Sequence, residues 1–355
     1  MKRWIGRGAA FLCLLMVAFT ALPLVETDEW WIRVLDFPRP QIAAVLGVAL
    51  AVLCLTGTRA RILAPIAAVS LAALAWQTRL ILPYTPLATE QMLAAGECEP
   101  GGRVRFLLAN VLQGNRDAGP LLALAGQTDP DVILLTEIDD WWTERLAGLK
   151  SSHAAAVLEP LSNTYGIGLY SRLPLKDPEV RYLLEDDIPS IRTAIVLGDG
   201  TEFVMWGVHP APPRPDDDTD ERDAELLLVA KEAAAAGRPG VVAGDLNDVA
   251  WSGTTTLFQE ISGLLDPRIG RGLYATFNAD WPLLKWPLDH LFASEEWMLG
   301  EFRRLPDIGS DHFPILVELC HRPEAAALQE GDRPEPGDAR EAEEHIEEGR
   351  EAAPK

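Results

Sequence analysis

Three long apolar stretches open the chain, and shorter apolar runs ending in polar residues fill its middle. The long ones run from Ile5 to about Val25, from about Gln41 to Leu55 and from Ile62 to about Pro83. A spanning helix needs about 20 mostly apolar residues. The first and third stretches meet that length, and the second meets it only if it starts near Phe37. The expectation is a membrane anchor over residues 1–85 with three transmembrane helices. A cleaved signal peptide is the alternative for the first. Lys2, Arg3 and Arg7 precede the first stretch, and Arg59 and Arg61 lie between the second and third. Glu26, Asp28, Glu29 and Asp36 dominate the first connection, beside Trp30 and Trp31. The excess of positive charge puts the N-terminus in the cytoplasm. Three spans then leave everything after Pro83 outside, on the periplasmic face of a plasma (inner) membrane.

Beyond a linker at 86–102, residues 103–321 alternate strand-like and helix-like patterns. Strands are expected at Arg103 to Ala109, Asp131 to Thr136, Tyr165 to Ser171, Ile191 to Leu197, Glu202 to Val208, Val241 to Ala243, Leu288 to Phe292 and Ile315 to Leu319. The continuous apolar runs Val132 to Leu135 and Val241 to Ala243 have the form of strands buried on both faces. Gly198-Asp199-Gly200 suits a hairpin turn between two of the strands. Helices are expected at Leu121 to Gly126 and at Asp220 to Ala236, each closed by a glycine.

Composition divides the chain further. Its formal net charge is -22, from 53 acidic and 31 basic residues. Part of this excess sits in residues 322–355, which are poor in large apolar side chains. A disordered acidic tail is expected there, with a short Glu/Arg helix as the alternative. So acidic a balance argues against a protein that grips nucleic acid by its phosphates, yet a metal site can still govern the local field. Cys13 and Cys54 fall in the apolar stretches. Cys98 and Cys320 bracket the globular part, and both a disulfide and two thiols remain open.

Chemistry concentrates where strands end. Asn110, Glu137, His209, Asp245, Asn247, Asp289, Asp311 and His312 each stand at or just beyond such an end. A carboxylate like Glu137 after a buried run is costly unless paired or coordinated. His312 needs a partner to fix its ring, and Asp289 is the natural one. His290, beside Asp289, should point to the other face and serve structure. His153 and His321 carry no signal. Trp141, Trp142, Trp281 and Trp286 are expected in packing or facing the membrane.

These residues, in this order, resemble the endonuclease/exonuclease/phosphatase family. The resemblance covers about residues 103–321. It rests on Leu108-Ala109-Asn110-Val111, Asp131 to Glu137, Gly168 to Pro174, Val208 to Pro212, Gly244-Asp245-Leu246-Asn247, Leu288-Asp289-His290 and Ser310-Asp311-His312. It implies a DNase I-like α+β fold, a four-layered α/β/β/α sandwich of two mainly antiparallel sheets, preceded here by three transmembrane helices like those of membrane-anchored bacterial members. It also implies hydrolysis of a phosphate ester. Glu137, Asp311 and Asn110 would hold Mg²⁺, or Mn²⁺, through hard oxygen ligands. Asp245 would orient or deprotonate the attacking water, and Asn247 would donate to the developing negative charge. His209 would contact the phosphate or assist the leaving group. His312 would act as base or as cation. Leu112 departs from the acidic residue that apurinic endonucleases often carry there, and the acidic run Asp216-Asp217-Asp218 follows His209. Both weaken a DNA-repair reading. The expected partners are a lipid bilayer and a phosphate-ester substrate, whether lipid headgroup, nucleotide or nucleic acid. A nonspecific extracytoplasmic endonuclease and an inactive scaffold are the alternatives.

Overall fold

The computed structural model describes residues 1–25, 27–56, 59–99, 101–213 and 218–353. Glu26 and most of the acidic run after His209, at 214–217, lie outside the described residues.

The apolar N-terminal stretches form α1 (Lys2–Ala21), α2 (Trp30–Arg33), α3 (Arg39–Leu55) and α4 (Ala60–Ile81). Two helical stretches, Lys2–Leu24 and Arg61–Tyr84, are long and apolar enough to cross a membrane. The second predicted stretch is different: it joins Trp30–Asp36 to Arg39–Leu55 through a 73° bend. Pro38 and Pro40 flank that bend, and proline removes the amide donors that would carry a helix through. Ala9, Cys13 and Met16 of α1 pack with Ile42, Leu46, Ala49 and Leu53 of α3 and with Ala73 of α4. Some of the polar groups inside pair with one another: Gln77 Nε2 donates to Thr20 Oγ1 (3.0 Å), and Arg39 pairs with Asp36.

The rest is an α+β fold with two mixed sheets. The strands are β1 (Arg103–Asn110), β2 (Val132–Thr136), β3 (Ala155–Glu159), β4 (Ile167–Ser171), β5 (Leu175–Tyr182), β6 (Pro189–Val196), β7 (Glu202–Val208), β8 (Gly240–Asp245), β9 (Asp289–Ala293), β10 (Trp297–Arg304) and β11 (Ile315–His321). One sheet has the order β10-β11-β1-β2-β4-β3, the other β5-β6-β7-β8-β9. Pairing is antiparallel except for β1 with β2 and β7 with β8. Side chains alternate faces along a strand, so each sheet has two apolar faces to cover. Phe106, Leu108, Val132 and Leu134 of the first sheet meet Ile195, Phe203, Met205 and Val241 of the second. On the far side of the first sheet, Leu107, Ile133 and Leu135 pack on α5 (Gly119–Thr128) and on Trp142 of α6 (Asp140–Arg145). On the far side of the second, Trp206, Val242 and Phe292 pack on α7 (Asp220–Ala235) and α8 (Gly253–Ser262).

Both flanks of the sheets carry structure. In residues 86–102, Met92 is buried in the core between the sheets, and Ala94 bridges to Leu299. The acidic tail holds α9 (Asp338–Ala352), the helical alternative to a disordered tail. Its Ala342, Ile346 and Gly349 form one stripe against α7, buried among Leu227 and Leu257, while its acids face outward. A Cβ at Gly349 would lie 2.4 Å from that of Ala224, so glycine permits the close crossing. Cys98 and Cys320 form a disulfide, Cα atoms 5.4 Å apart, tying the approach to β1 to the end of β11.

Glu225, on the buried face of α7, supplies a pH test. Burial, then the nearby Glu185 carboxylate, push its carboxyl up from 4.5 to about 8, against the opposing pull of Arg181. Near pH 7 it is neutral when folded and ionised when unfolded, so its stabilising contribution, complete below about pH 4.5, is lost as pH rises toward about 8. Glu225→Gln removes this dependence. Thermal melts should find the variant more stable than the parent at pH 8, by roughly 4 kcal/mol, and little different at pH 4.5. Equal pH slopes would contradict it.

Candidate active site

The two parallel pairings build one end of the molecule. In β1–β2 the register sets Asn110 beside Thr136, so Glu137 emerges next to Asn110. In β7–β8 it sets Val208 beside Gly244, so His209 and Asp245 emerge together. Gly244 has φ +150°, and a Cβ there would fall 1.9 Å from the Val208 carbonyl oxygen. Only glycine lets these strand ends approach so closely. In the antiparallel β8–β9 pair, Asp245 faces Asp289. Asp311 and His312 precede β11, whose register lies against β1.

Glu137 and Asn247 both have left-handed backbones, φ +63° and +51°. Such a backbone is tolerated by Asn and uncommon for Glu. Local hydrogen bonds hold both. Gln113 N donates to Glu137 Oε2 (3.0 Å), and Asn110 Nδ2 donates to Glu137 Oε1 (2.9 Å). Asn247 N donates to Asp245 Oδ1 (3.1 Å), and its Nδ2 donates to the Pro210 carbonyl (2.9 Å).

Asp245 is the hub. Asn110 Nδ2 reaches across from the other sheet to its Oδ2 at 2.9 Å. His312 Nε2 and His209 Nε2 lie 3.6 and 3.7 Å from the same oxygen. His312 Nδ1 is 2.8 Å from Asp289 Oδ2. Two carboxylates facing each other across a strand pair repel, and the His312 ring between them relieves this. Burial opposes charge on His312, but the Asp245 and Asp289 carboxylates outweigh it and push the imidazole up to about 10. The ring is therefore a cation at neutral pH, donating to Asp289.

Glu137 and Asp311 stand apart from that compact trio of Asp245, Asp289 and His312. Asp311 Oδ1 is buried with no hydrogen-bond partner among the described residues. Burial raises the Asp311 pKa, His312 pulls it down, and Glu137 and Asp245 push it up again. A divalent cation shared by Glu137 and Asp311 would relieve both the orphaned oxygen and the repulsion, and oxygen donors of this kind suit Mg²⁺. The trio fits a cation less well, because its imidazole is already engaged with both carboxylates.

All eight strand-end residues singled out in the sequence thus lie at one end of the fold. Sequence reasoning missed several supports. Phe277 packs on His312 with ring centroids 4.9 Å apart, and Tyr165 lies 5.8 Å from His209. Thr276 Oγ1 accepts from Asp289 N (3.2 Å), Ser310 Oγ from His312 N (3.1 Å), and buried Arg222 donates to the Asn247 carbonyl (3.2 Å). Only Ser310, inside a quoted motif, carried a sequence signal. His290 points away from the site as expected: Arg268 donates to its Nδ1 (2.7 Å), its Nε2 meets the Asp248 carbonyl (2.9 Å), and burial beside Arg268 holds it well below 6.5.

The sequence profile of the Endonuclease/Exonuclease/phosphatase family matches residues 107–312. No curated protein matches the sequence. Among solved structures, an endonuclease/exonuclease/phosphatase from Beutenbergia cavernae DSM 12333 is similar at 17% identity and a TM-score of 0.52, over 62% of this chain and 72% of that one. Humanized D. rerio TDP2 is similar at 15% and 0.51, over 61% and 99%. The human Nocturnin catalytic domain with bound sulfate is similar at 16% and 0.51, over 63% and 96%. At such identities the likeness speaks for the fold.

Proposed function

The chain belongs to the endonuclease/exonuclease/phosphatase family, and from that premise we propose that it is a membrane-anchored, Mg²⁺-dependent hydrolase of phosphate esters. The observation that carries this reading is the meeting of Asn110, Glu137, His209, Asp245, Asn247, Asp289, Asp311 and His312 at one end of the sandwich. Glu137 and Asp311, with Asn110 beside them, would hold the cation, which supplies charge neutralisation on the phosphoryl group. Asp245 is the acceptor that orients the attacking water, since its carboxylate is fixed by Asn110 and by the Asn247 amide. Asp289 fixes the His312 ring through Nδ1, and Nε2, 3.6 Å from Asp245 Oδ2, would share its proton between that carboxylate and a phosphate oxygen bound beside it. Asn247, tied to Pro210, and His209 complete the donors around the developing charge.

The three apolar cores support a four-layered α/β/β/α sandwich. In the proposed organisation residues 1–85 anchor the chain in the plasma membrane, residues 103–321 catalyse, and residues 322–355 form an acidic extension. The bent α2–α3 segment serves as the third span, so the catalytic part lies on the outer face. The purified full chain, assayed on a panel of phosphodiesters and phosphomonoesters with and without Mg²⁺, should release product only with the cation. Inactivity on every ester of the panel, lipid and nucleic acid included, would overturn the proposal. Nicking of plasmid DNA together with inactivity on lipid would favour an extracytoplasmic nuclease.

A further inference from the structure

The loop at residues 277–286 starts at the candidate site and returns to it. Phe277 packs on His312, Ala279 N donates to the Asp311 carbonyl (2.7 Å), and Thr276 N and Phe277 N donate to the Trp286 carbonyl (2.9 and 3.0 Å). Its base is thus fixed to the catalytic end of the fold. Its tip is not covered: Leu283 is 82% exposed, Trp281 59% and Leu284 40%. Single exposed apolar residues are ordinary, but three large ones on one short loop mark a contact surface.

The position of this tip indicates what covers it. Gln41 Nε2, in the first turn of α3, donates to the Leu283 carbonyl (3.0 Å). Phe37, just before α3, meets Trp286 edge to face at 6.0 Å. Tyr84, just beyond α4, shares an apolar cluster with Phe37 and Trp251. The tip therefore lies level with the ends of the apolar helices and is continuous with them. Tryptophan and leucine at that level suit the boundary between headgroups and acyl chains.

Resting on the membrane-anchored hydrolase reading, we propose that the tip of the 277–286 loop inserts into the interfacial layer of the bilayer that the helices cross, and that the candidate site takes its phosphate ester from a membrane lipid. The loop is the link between these two statements. The same ten residues that carry Trp281 and Leu283 also press Phe277 against His312, so a lipid headgroup at the tip is delivered beside the catalytic groups. No diffusion through water is required.

Two measurements on the full chain in phosphatidylcholine/phosphatidylglycerol vesicles test this. The first attaches a nitroxide to Leu283→Cys in a Cys13→Ala/Cys54→Ala background and compares relaxation by oxygen and by a water-soluble Ni²⁺ chelate. Insertion predicts that oxygen dominates. Dominance of the chelate, or shielding from both by a second copy or another protein contact, would overturn it. This reading needs no turnover, so it stands or falls apart from the hydrolase proposal. The second uses the triple variant Trp281→Ser/Leu283→Ser/Leu284→Ser. Its hydrolysis of vesicle phospholipid should fall at least about tenfold, while its hydrolysis of bis(p-nitrophenyl) phosphate stays within about twofold. Equal loss on both substrates, no loss on either, or a parent chain that cleaves the soluble ester and no vesicle lipid would overturn the substrate assignment. A parent inactive on both esters would overturn the hydrolase reading and the lipid assignment with it, leaving loop insertion to the label.

Discussion

Glu137→Gln is expected to lower Mg²⁺-dependent hydrolysis by roughly a thousandfold, the loss of several kcal/mol of charge stabilisation by the cation. Asn110 Nδ2 and the Gln113 amide donate to different oxygens of Glu137, so the single amide oxygen of the variant keeps one of these two hydrogen bonds and its NH2 group displaces the other. What disappears is one negative charge opposite Asp311, whose own carboxyl is raised partly by Glu137. In the metal-free protein the lost hydrogen bond and the relieved repulsion oppose one another, so the melting temperature should change little. Calorimetric titration with Mg²⁺ should show binding lost in the variant. Lower activity with lower stability and intact cation binding would point to a folding defect and contradict the assignment.

Asp289→Asn tests the other half of the site. The 2.8 Å contact to His312 Nδ1 orients the ring and helps to hold its charge. An amide removes the charge and is expected to reduce turnover about 10- to 100-fold, the range for partners that orient a functional group. Its specific signature is a titration. In the metal-free protein the His312 imidazole, pushed up to about 10, should stay protonated through neutral pH and lose its proton only in alkali. Removing one of its two carboxylates should move that transition to lower pH. The alkaline limb of the rate profile should move with it, because in the proposed mechanism the cationic form faces the phosphate. NMR of the imidazole Cε1 proton, assigned through His312→Asn, measures the transition. An unshifted transition, or a rate that rises as His312 deprotonates, would assign the ring as a neutral base instead.

Much of this site is legible in the sequence, for a physical reason. A buried strand such as Val132–Thr136 or Gly240–Asp245 must be apolar along its length, so the first polar residue marks where it leaves the core. Strand partners were not readable, because a periodic pattern carries no information on which strand lies beside which. The parallel β1–β2 and β7–β8 pairs, which bring Asn110 to Glu137 and His209 to Asp245, had to come from the structure. Elements that lack a clean period escaped the sequence reading. In β5 the exposed run around Pro178 belongs to an edge strand with a register shift. In β10 the pattern breaks at a bulge beside Gly300. In α8 the run Thr254 to Thr256 disfavours a helix that the Ser252 side chain then caps. The stripe of α9 was hidden by its glutamates, since Ala342, Ile346 and Gly349 are too small a set to stand out in so acidic a segment. The tryptophans divide as only packing could tell: Trp142 is fully buried, while Trp281 stands in the open.

The most direct trial is a single comparison. The purified full chain and its Glu137→Gln variant are assayed side by side on a simple phosphodiester, with Mg²⁺ present and with it chelated. A hydrolase built on this site gives turnover in one of the four conditions, the parent chain with Mg²⁺. Equal rates for parent and variant, or rates indifferent to the cation, would contradict it.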